Sequence, residues 1–313
     1  MNLGIDLGGT NIAAAIVDND GAIKKRVSIP ANARGGTKAV VDGLSNACAL
    51  LLEDTSVSPL VIGIGVPGTV NDEAGVVVFT PNLPLRDTNV TSELQRKYGC
   101  PVRLGNDANC AALGETIAGG AKGAKDVVFV TLGTGVGGGI IIGGRLHTGM
   151  SGAASELGHM VIIVGGRECG CGRRGCWETY ASAHGLILTA IEIMGARSDS
   201  MLWDLCGGLA EMLDGSAIFN AFRNGDHAAR LAVERYIEHL AIGVTDIINI
   251  LEPELICIGG GISNAWDCFA EPLKTLVDAE KYYRFSPQLP HTRIVKAELG
   301  NDAGLIGAAM LGR

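Results

Sequence analysis

The chain has 313 residues, enough for two α/β domains with cores of their own at the usual size of about 100–150 residues per domain. A formal charge of −8 opposes a face built to neutralise nucleic-acid phosphates, so no nucleic-acid partner is expected. The longest apolar stretches, such as 60–66 and 139–142, fall far short of the roughly 18 residues a membrane span needs, and the N-terminus enters a strand pattern with no basic-then-apolar leader; a cytoplasmic protein with no membrane partner is expected.

Residues 3–6 read as a short strand running into Gly8-Gly9-Thr10, and 12–17 as the strand that returns. A helical apolar spacing covers 39–52, and 61–66 reads as a buried strand ending in Pro67-Gly68. The strand-like 102–104 leads into Gly105-Asn-Asp-Ala108, which opens an alanine-rich helix. The hairpin pattern then recurs: 127–132 enters Gly133-Thr134-Gly135 and returns through 139–142. Further helical spacings cover 187–194 and 228–250, and 255–258 is a second buried strand, ending in Gly259-Gly260-Gly261. Residues 294–299 lead into Gly300-Asn-Asp-Ala303, an echo of the earlier Gly-Asn-Asp-Ala before another alanine-rich helix. Strands and helices alternate, the pattern of α/β layers, and strands that end in glycine face a ligand crevice. The fold is expected to be duplicated. A first lobe would span 1–120, with a C-terminal helix at about 302–313 crossing back to it, and a second lobe 121–301.

The 46 glycines are about twice the usual share and cluster at strand ends, where backbone can approach a ligand. In Asp6-Leu-Gly-Gly-Thr-Asn11, backbone N–H groups can turn toward an anion, Thr10 adds a hydroxyl, and Asp6 can hold a hydrated Mg²⁺. A plain hairpin explains the first copy as well. Its repetition in Leu132-Gly-Thr-Gly-Val-Gly-Gly-Gly139 suggests two grips on a polyphosphate, which suits phosphoryl transfer. Asp107, between a strand and a helix, can accept a proton from a hydroxyl or merely cap its helix, and the same choice applies to Asp302.

The cysteine pattern is more specific. Cys169-Gly-Cys171-Gly-Arg-Arg-Gly-Cys176 follows His159, so an imidazole and three thiols sit among glycines that allow tight loops. Such soft ligands suit tetrahedral Zn²⁺, and a Cys-x-Cys pair in cytosol is a poor disulfide. Cys48, Cys100, Cys110, Cys206, Cys257 and Cys268 are scattered among apolar residues and read as small core hydrophobes.

Over its whole length the chain resembles the ROK family (repressors, open reading frames and kinases) of the sugar kinase, chaperone ATPase and actin superfamily. The resemblance rests on 3–11 and 128–139 as phosphate motifs, 254–263 as an adenosine motif, Gly105-Asn-Asp-Ala-Asn-Cys-Ala-Ala-Leu-Gly-Glu115 as a catalytic segment, and the His159/Cys169/Cys171/Cys176 cluster. It implies an actin-like, ribonuclease H-like fold with two lobes around a nucleotide and sugar cleft. The implied activity is that of an ATP-dependent hexose kinase, foremost one converting glucose and ATP to glucose 6-phosphate and ADP at the head of glycolysis.

By that resemblance Asp107 is the general base and Asp302 a cap. Asp6, Gly8, Gly9, Thr10, Asn11, Gly133, Thr134, Gly135, Gly259, Gly260 and Gly261 hold ATP with Mg²⁺. Gly68, Asn82, Asn106, Asp107, Glu156, His159 and Glu178 line the sugar pocket, with His159 using one nitrogen for structural Zn²⁺ and the other for sugar. A homodimer is implied too. Leu85-Arg86 departs from the glycine and tryptophan that follow Asn-Leu-Pro in many glucokinase-like members, which leaves allose, mannose, fructose or an N-acetylhexosamine as alternative acceptors. A sugar-responsive transcriptional regulator is disfavoured, since the first phosphate motif begins at residue 3 with no helix-turn-helix segment before it.

Overall fold

The structure, a computed structural model, describes residues 1–53, 55–286 and 288–312. These form two compact units. The first comprises Met1–Phe129, Gly138–Ser155 and Ala297–Arg313; the second comprises Val130–Gly137 and Glu156–Lys296.

The first unit opens with β1 (Asn2–Leu7), β2 (Asn11–Val17) and β3 (Ile23–Pro30), an antiparallel meander. After α1 (Gly36–Leu52), β4 (Ile62–Val66) pairs in parallel with β1. A small antiparallel sheet follows, made of β5 (Thr69–Asn71), β6 (Val76–Phe79) and β7 (Arg86–Asn89). Next come α2 (Ser92–Tyr98), β8 (Val102–Asn106) in parallel with β4, and α3 (Asp107–Ala118). The main sheet has the order β3-β2-β1-β4-β8. Its central strands are covered on both faces, which is why β4 reads as an unbroken apolar run with glycine. At the edge, β3 alternates half-buried and exposed residues and places Lys24, Arg26 and Ser28 outward.

Along the chain follow β9 (Val127–Leu132), β10 (Val136–Ile142) and β11 (Arg145–Leu146). The second unit continues with α4 (Glu178–Ala181), α5 (Ala183–Met194), α6 (Leu202–Leu205), α7 (Gly215–Arg223) and α8 (His227–Leu251). β12 (Leu255–Gly259), α9 (Trp266–Glu280) and β13 (Arg293–Lys296) complete it. The second sheet has the order β11-β10-β9-β12-β13, the same sequence of roles as the first sheet. In both, a meander strand leads outward on one side and crossover strands follow on the other, so the duplication expected from the repeated hairpin is present as topology.

α10 (Asp302–Ala309) returns to the first unit. Five of its eight residues are alanine or glycine, and backbone packs on backbone there: a Cβ on Gly4 of β1 would lie 2.0 Å from the Leu305 carbonyl oxygen. Asn2 Nδ2 donates to the Ala309 carbonyl at 2.9 Å. Of the expected 302–313 helix, residue 313 lies outside the described residues. The expected strand at 294–299 is shorter, ending at Lys296, because the amides of Glu298 and Leu299 leave the ladder and donate to the buried carboxylate of Glu115 at 3.0 and 2.8 Å. That carboxylate also accepts from the Gly120 amide at 2.8 Å, so it ties the end of α3 to the approach of α10. Among the described residues no helix is long and apolar enough to cross a membrane.

Candidate active site

In the first unit the site is built from three turns. The β1–β2 hairpin closes through Gly8 N–H donating to the Asn11 carbonyl at 2.9 Å, leaving Gly9, Thr10 and Asn11 exposed at its tip. Gly9 lies beside the Pro81-Asn-Leu-Pro84 loop: a Cβ on it would lie 3.8 Å from that of Asn82. Gly68, after β4, has φ +152°, and a Cβ there would meet the Phe79 carbonyl oxygen at 2.2 Å, so only glycine fits. Its own carbonyl accepts from Asn106 Nδ2 at 3.2 Å.

Asn106 and Asp107 divide their work by geometry. Asn106 is the N-cap of α3, its Oδ1 accepting from the Ala108 and Asn109 amides at 2.9 and 3.2 Å. Asp107 is therefore released from the N-cap role, although its Oδ1 also accepts from the Ala108 amide at 2.8 Å. Burial pushes the Asp107 carboxyl up from its ordinary value, and its hydrogen bonds with Ala108 and Asn106 hold it back. Asp6, at the end of β1, is pushed up to about 6, first by burial and then by the negative charge of Asp107. The two carboxylates thus share one poorly solvated neighbourhood, where bringing in a cation relieves both.

Asp302 is not a cap. The N-cap of α10 is Asn301, which makes no side-chain capping bond, and the Asp302 carboxylate instead pairs with Arg26 Nη2 at 2.8 Å on the surface. The similar Gly-Asn-Asp-Ala strings therefore fold to different ends. Leu85 and Arg86 also resolve: Leu85 is core, 1% exposed, while the Arg86 guanidinium stacks on Phe79 at 5.0 Å.

In the second unit the β9–β10 turn closes through Gly133 N–H donating to the Gly135 carbonyl at 3.0 Å, with Thr134 exposed at its tip. The turn after β12 abuts it. Gly260 has φ +83°, and a Cβ there would lie 2.4 Å from the Leu132 carbonyl oxygen, so the Gly259–Gly261 glycines lie against the root of the second hairpin.

The cysteine loop occupies the same unit. One ligand atom from each of His159, Cys169, Cys171 and Cys176 falls within 4.8 Å of all the others. Cys171 and Cys176 sulfurs are 3.7 Å apart and Cys169 Sγ is 3.6 Å from His159 Nδ1. Tetrahedral zinc with bonds of about 2.3 Å sets its sulfurs about 3.8 Å apart, so the donor set fits that ion in number, type and spacing. The loop is stitched by Cys169 N–H donating to Arg173 O at 3.0 Å and by a bridge between Val161 and Cys176.

Three polar side chains flank the cluster. His159 presents Nδ1 to the sulfurs and Nε2 to Glu156, 3.9 Å from its Oε2. Glu178, first residue of α4, has Oε1 3.3 Å from Cys169 Sγ and 3.8 Å from His159 Nδ1, while its Oε2 accepts from the Val136 amide at 3.3 Å. Glu156 is the freest, with a side chain 61% exposed. Behind this group, the fully buried Trp177 donates Nε1–H to the His239 carbonyl at 2.9 Å. Arg167 and Tyr180 also support the loop from within, and no spacing in the sequence signals them.

Three comparisons with known proteins bear on this site. The model of the ROK family matches residues 2–313. The chain is 37% identical to the glucokinase of Thermotoga maritima, covering 99% of this chain and 96% of that protein. It is 35% identical to the glucokinase of Streptomyces coelicolor, covering 100% and 98%. The crystal structure of a ROK family glucokinase from Streptomyces griseus in complex with glucose and AMPPNP matches with a TM-score of 0.81 at 35% identity, over 99% of this chain and 98% of that one.

Proposed function

Because the chain belongs to the ROK family, we propose that it is an ATP-dependent hexose kinase whose preferred acceptor is glucose, yielding glucose 6-phosphate and ADP. The observation that carries this reading is Asp107, a largely buried carboxylate at the start of α3, freed from capping by Asn106 and made more basic than usual by burial.

In this reading Asp107 accepts the proton of the sugar hydroxyl that attacks the γ-phosphate, and Asn106, Gly68 and Asn82 orient the ring on the first unit. Glu156, His159 and Glu178 accept or donate hydrogen bonds to the remaining hydroxyls. Gly9, Thr10 and Asn11 in one hairpin, closed by Gly8, and Thr134 and Gly135 in the other, closed by Gly133, bind the phosphates, and Gly259–Gly261 lie under the nucleoside. Asp6 holds the hydrated magnesium that accompanies ATP. Zinc held by His159, Cys169, Cys171 and Cys176 would supply a fixed tetrahedral crosslink with no open position, a structural role. The same reading includes a cytoplasmic homodimer without nucleic-acid or membrane partners.

The test is ADP release across glucose, allose, mannose, fructose and the N-acetylhexosamines. Glucose is expected to give the highest kcat/KM; an N-acetylhexosamine exceeding it by about tenfold, a difference of about 1.4 kcal/mol in transition-state binding, would overturn the assignment.

A further inference from the structure

The residue that holds the cysteine loop to its support lies inside the loop. Arg167 sits between His159 and Cys169, with a side chain only 17% exposed. Its Nη1 donates to the carbonyls of Thr179 and Gly185 at 2.9 and 3.1 Å. Its Nη2 donates to Thr189 Oγ1 at 3.0 Å and Glu192 Oε1 at 2.9 Å. The guanidinium lies 4.8 Å from the centre of the Tyr180 ring, and the Arg167 amide donates to the Tyr180 hydroxyl at 2.7 Å. The Arg167 carbonyl accepts from Gly175 at 2.8 Å, on the limb of the loop that leads to Cys176.

α4 has four residues, too few to hold itself as a helix, and its terminal carbonyls have no partners inside it. Thr179 O is one of them, and Arg167 satisfies it. Glu178 heads this same turn, so the stance of its carboxylate follows the stance of α4. The planar fork of the guanidinium meets two carbonyls and a hydroxyl at once, which the point charge of a lysine cannot reproduce.

We infer that Arg167 is a positioning residue for Glu178: it sets the angle at which that carboxylate meets the sugar, without touching sugar or metal itself. The inference rests on the proposed role of Glu178 as a sugar contact.

Arg167→Lys, Arg167→Met, Glu178→Gln and the double variant Arg167→Lys/Glu178→Gln separate the possibilities in the zinc-loaded protein, with glucose KM, kcat and bound zinc as readouts. Arg167→Met should raise the glucose KM by about tenfold or more, the size of effect usual for residues that orient a binding group, while stoichiometric zinc is retained. Arg167→Lys keeps the stem and charge, so it tests the fork alone even where the methionine variant does not fold; it should raise KM as well. Because Arg167 acts through Glu178, the double variant should be no worse for glucose than Glu178→Gln alone. An unchanged KM in zinc-loaded Arg167→Lys, or additive losses in the double variant, would overturn the inference. So would a KM restored by added zinc, which would place Arg167's effect on the metal loop. If Glu178→Gln itself leaves the glucose KM unchanged, the sugar role of Glu178 is what fails.

Discussion

The Glu178 carboxylate accepts a hydrogen bond from the Val136 amide, so a side chain beside the cysteine cluster is fastened to the returning strand of the second glycine hairpin. Glu156, on the other side of His159, makes no such bond among the described residues and stands mostly in solvent. The two glutamates should therefore differ under the same substitution. Glu178→Ala is expected to raise the KM for glucose and for ATP together, and Glu156→Ala to raise that for glucose alone. Equal ATP affinities in the two variants would show that the Val136 bond carries no information between sugar and nucleotide.

Asp107→Asn keeps the hydrogen-bonding shape and removes the proposed base, so kcat should fall by at least about 100-fold with glucose still bound. Asp302→Asn removes only a surface ion pair with Arg26, and turnover should stay within about twofold. Steady-state kinetics on both variants, with glucose binding followed calorimetrically, checks the pair; similar losses would mean the base has been misassigned.

Asp6 gives the pH dependence its sign. Its folded pKa, about 6, exceeds the ordinary 3.8, so the folded state holds this proton more tightly than the unfolded chain does. Stability from this group is complete below about pH 4 and is lost as pH rises through 6, on the order of 3 kcal/mol at most. Activity runs the other way, since the proposed roles of Asp6 and Asp107 both need the carboxylate, and kcat/KM should fall as pH drops below about 6. Asp6→Asn should raise the Tm at pH 7 while removing MgATP-dependent turnover. A Tm at pH 7 that drops or stays level in that variant would contradict the burial argument.

Removal of the proposed zinc by a chelator, or Cys176→Ser, should release the loop that carries Glu156 on one limb and Glu178 past the other. The glucose KM should rise steeply and the ATP KM less, with loss of metal seen directly by elemental analysis. Metal-free protein with an unchanged glucose KM would leave the cysteines without the proposed role.

What the sequence displayed best was local and repeated. The two glycine hairpins, the strands before Gly68 and Gly259, and the spaced His159 and cysteines are each legible within a short window, because turn glycines and metal ligands obey fixed spacings. Asp302 misled for the same reason: Gly-Asn-Asp-Ala looks alike in both copies, and what distinguishes them is Arg26 on a distant strand. Arg167 was invisible because its acceptors lie at Thr179, Gly185, Thr189 and Glu192, a set that exists only once α4 and α5 are packed. β3 carries three consecutive cations, β5 and β7 are short and mostly polar, and α9 carries Pro272 inside it, so apolar periodicity alone did not mark them.

The return of α10 to the first unit bears on how the chain matures. Asn2 and Gly4 leave the ribosome long before their partners Ala309 and Leu305. Glu115 likewise waits for the amides of Glu298 and Leu299. The sheet of the first unit therefore cannot finish its core as its own strands emerge, and until residues 298–309 follow it holds an uncovered flank and a carboxylate missing two of its donors. Nascent chains of this protein should depend on chaperones until α10 emerges.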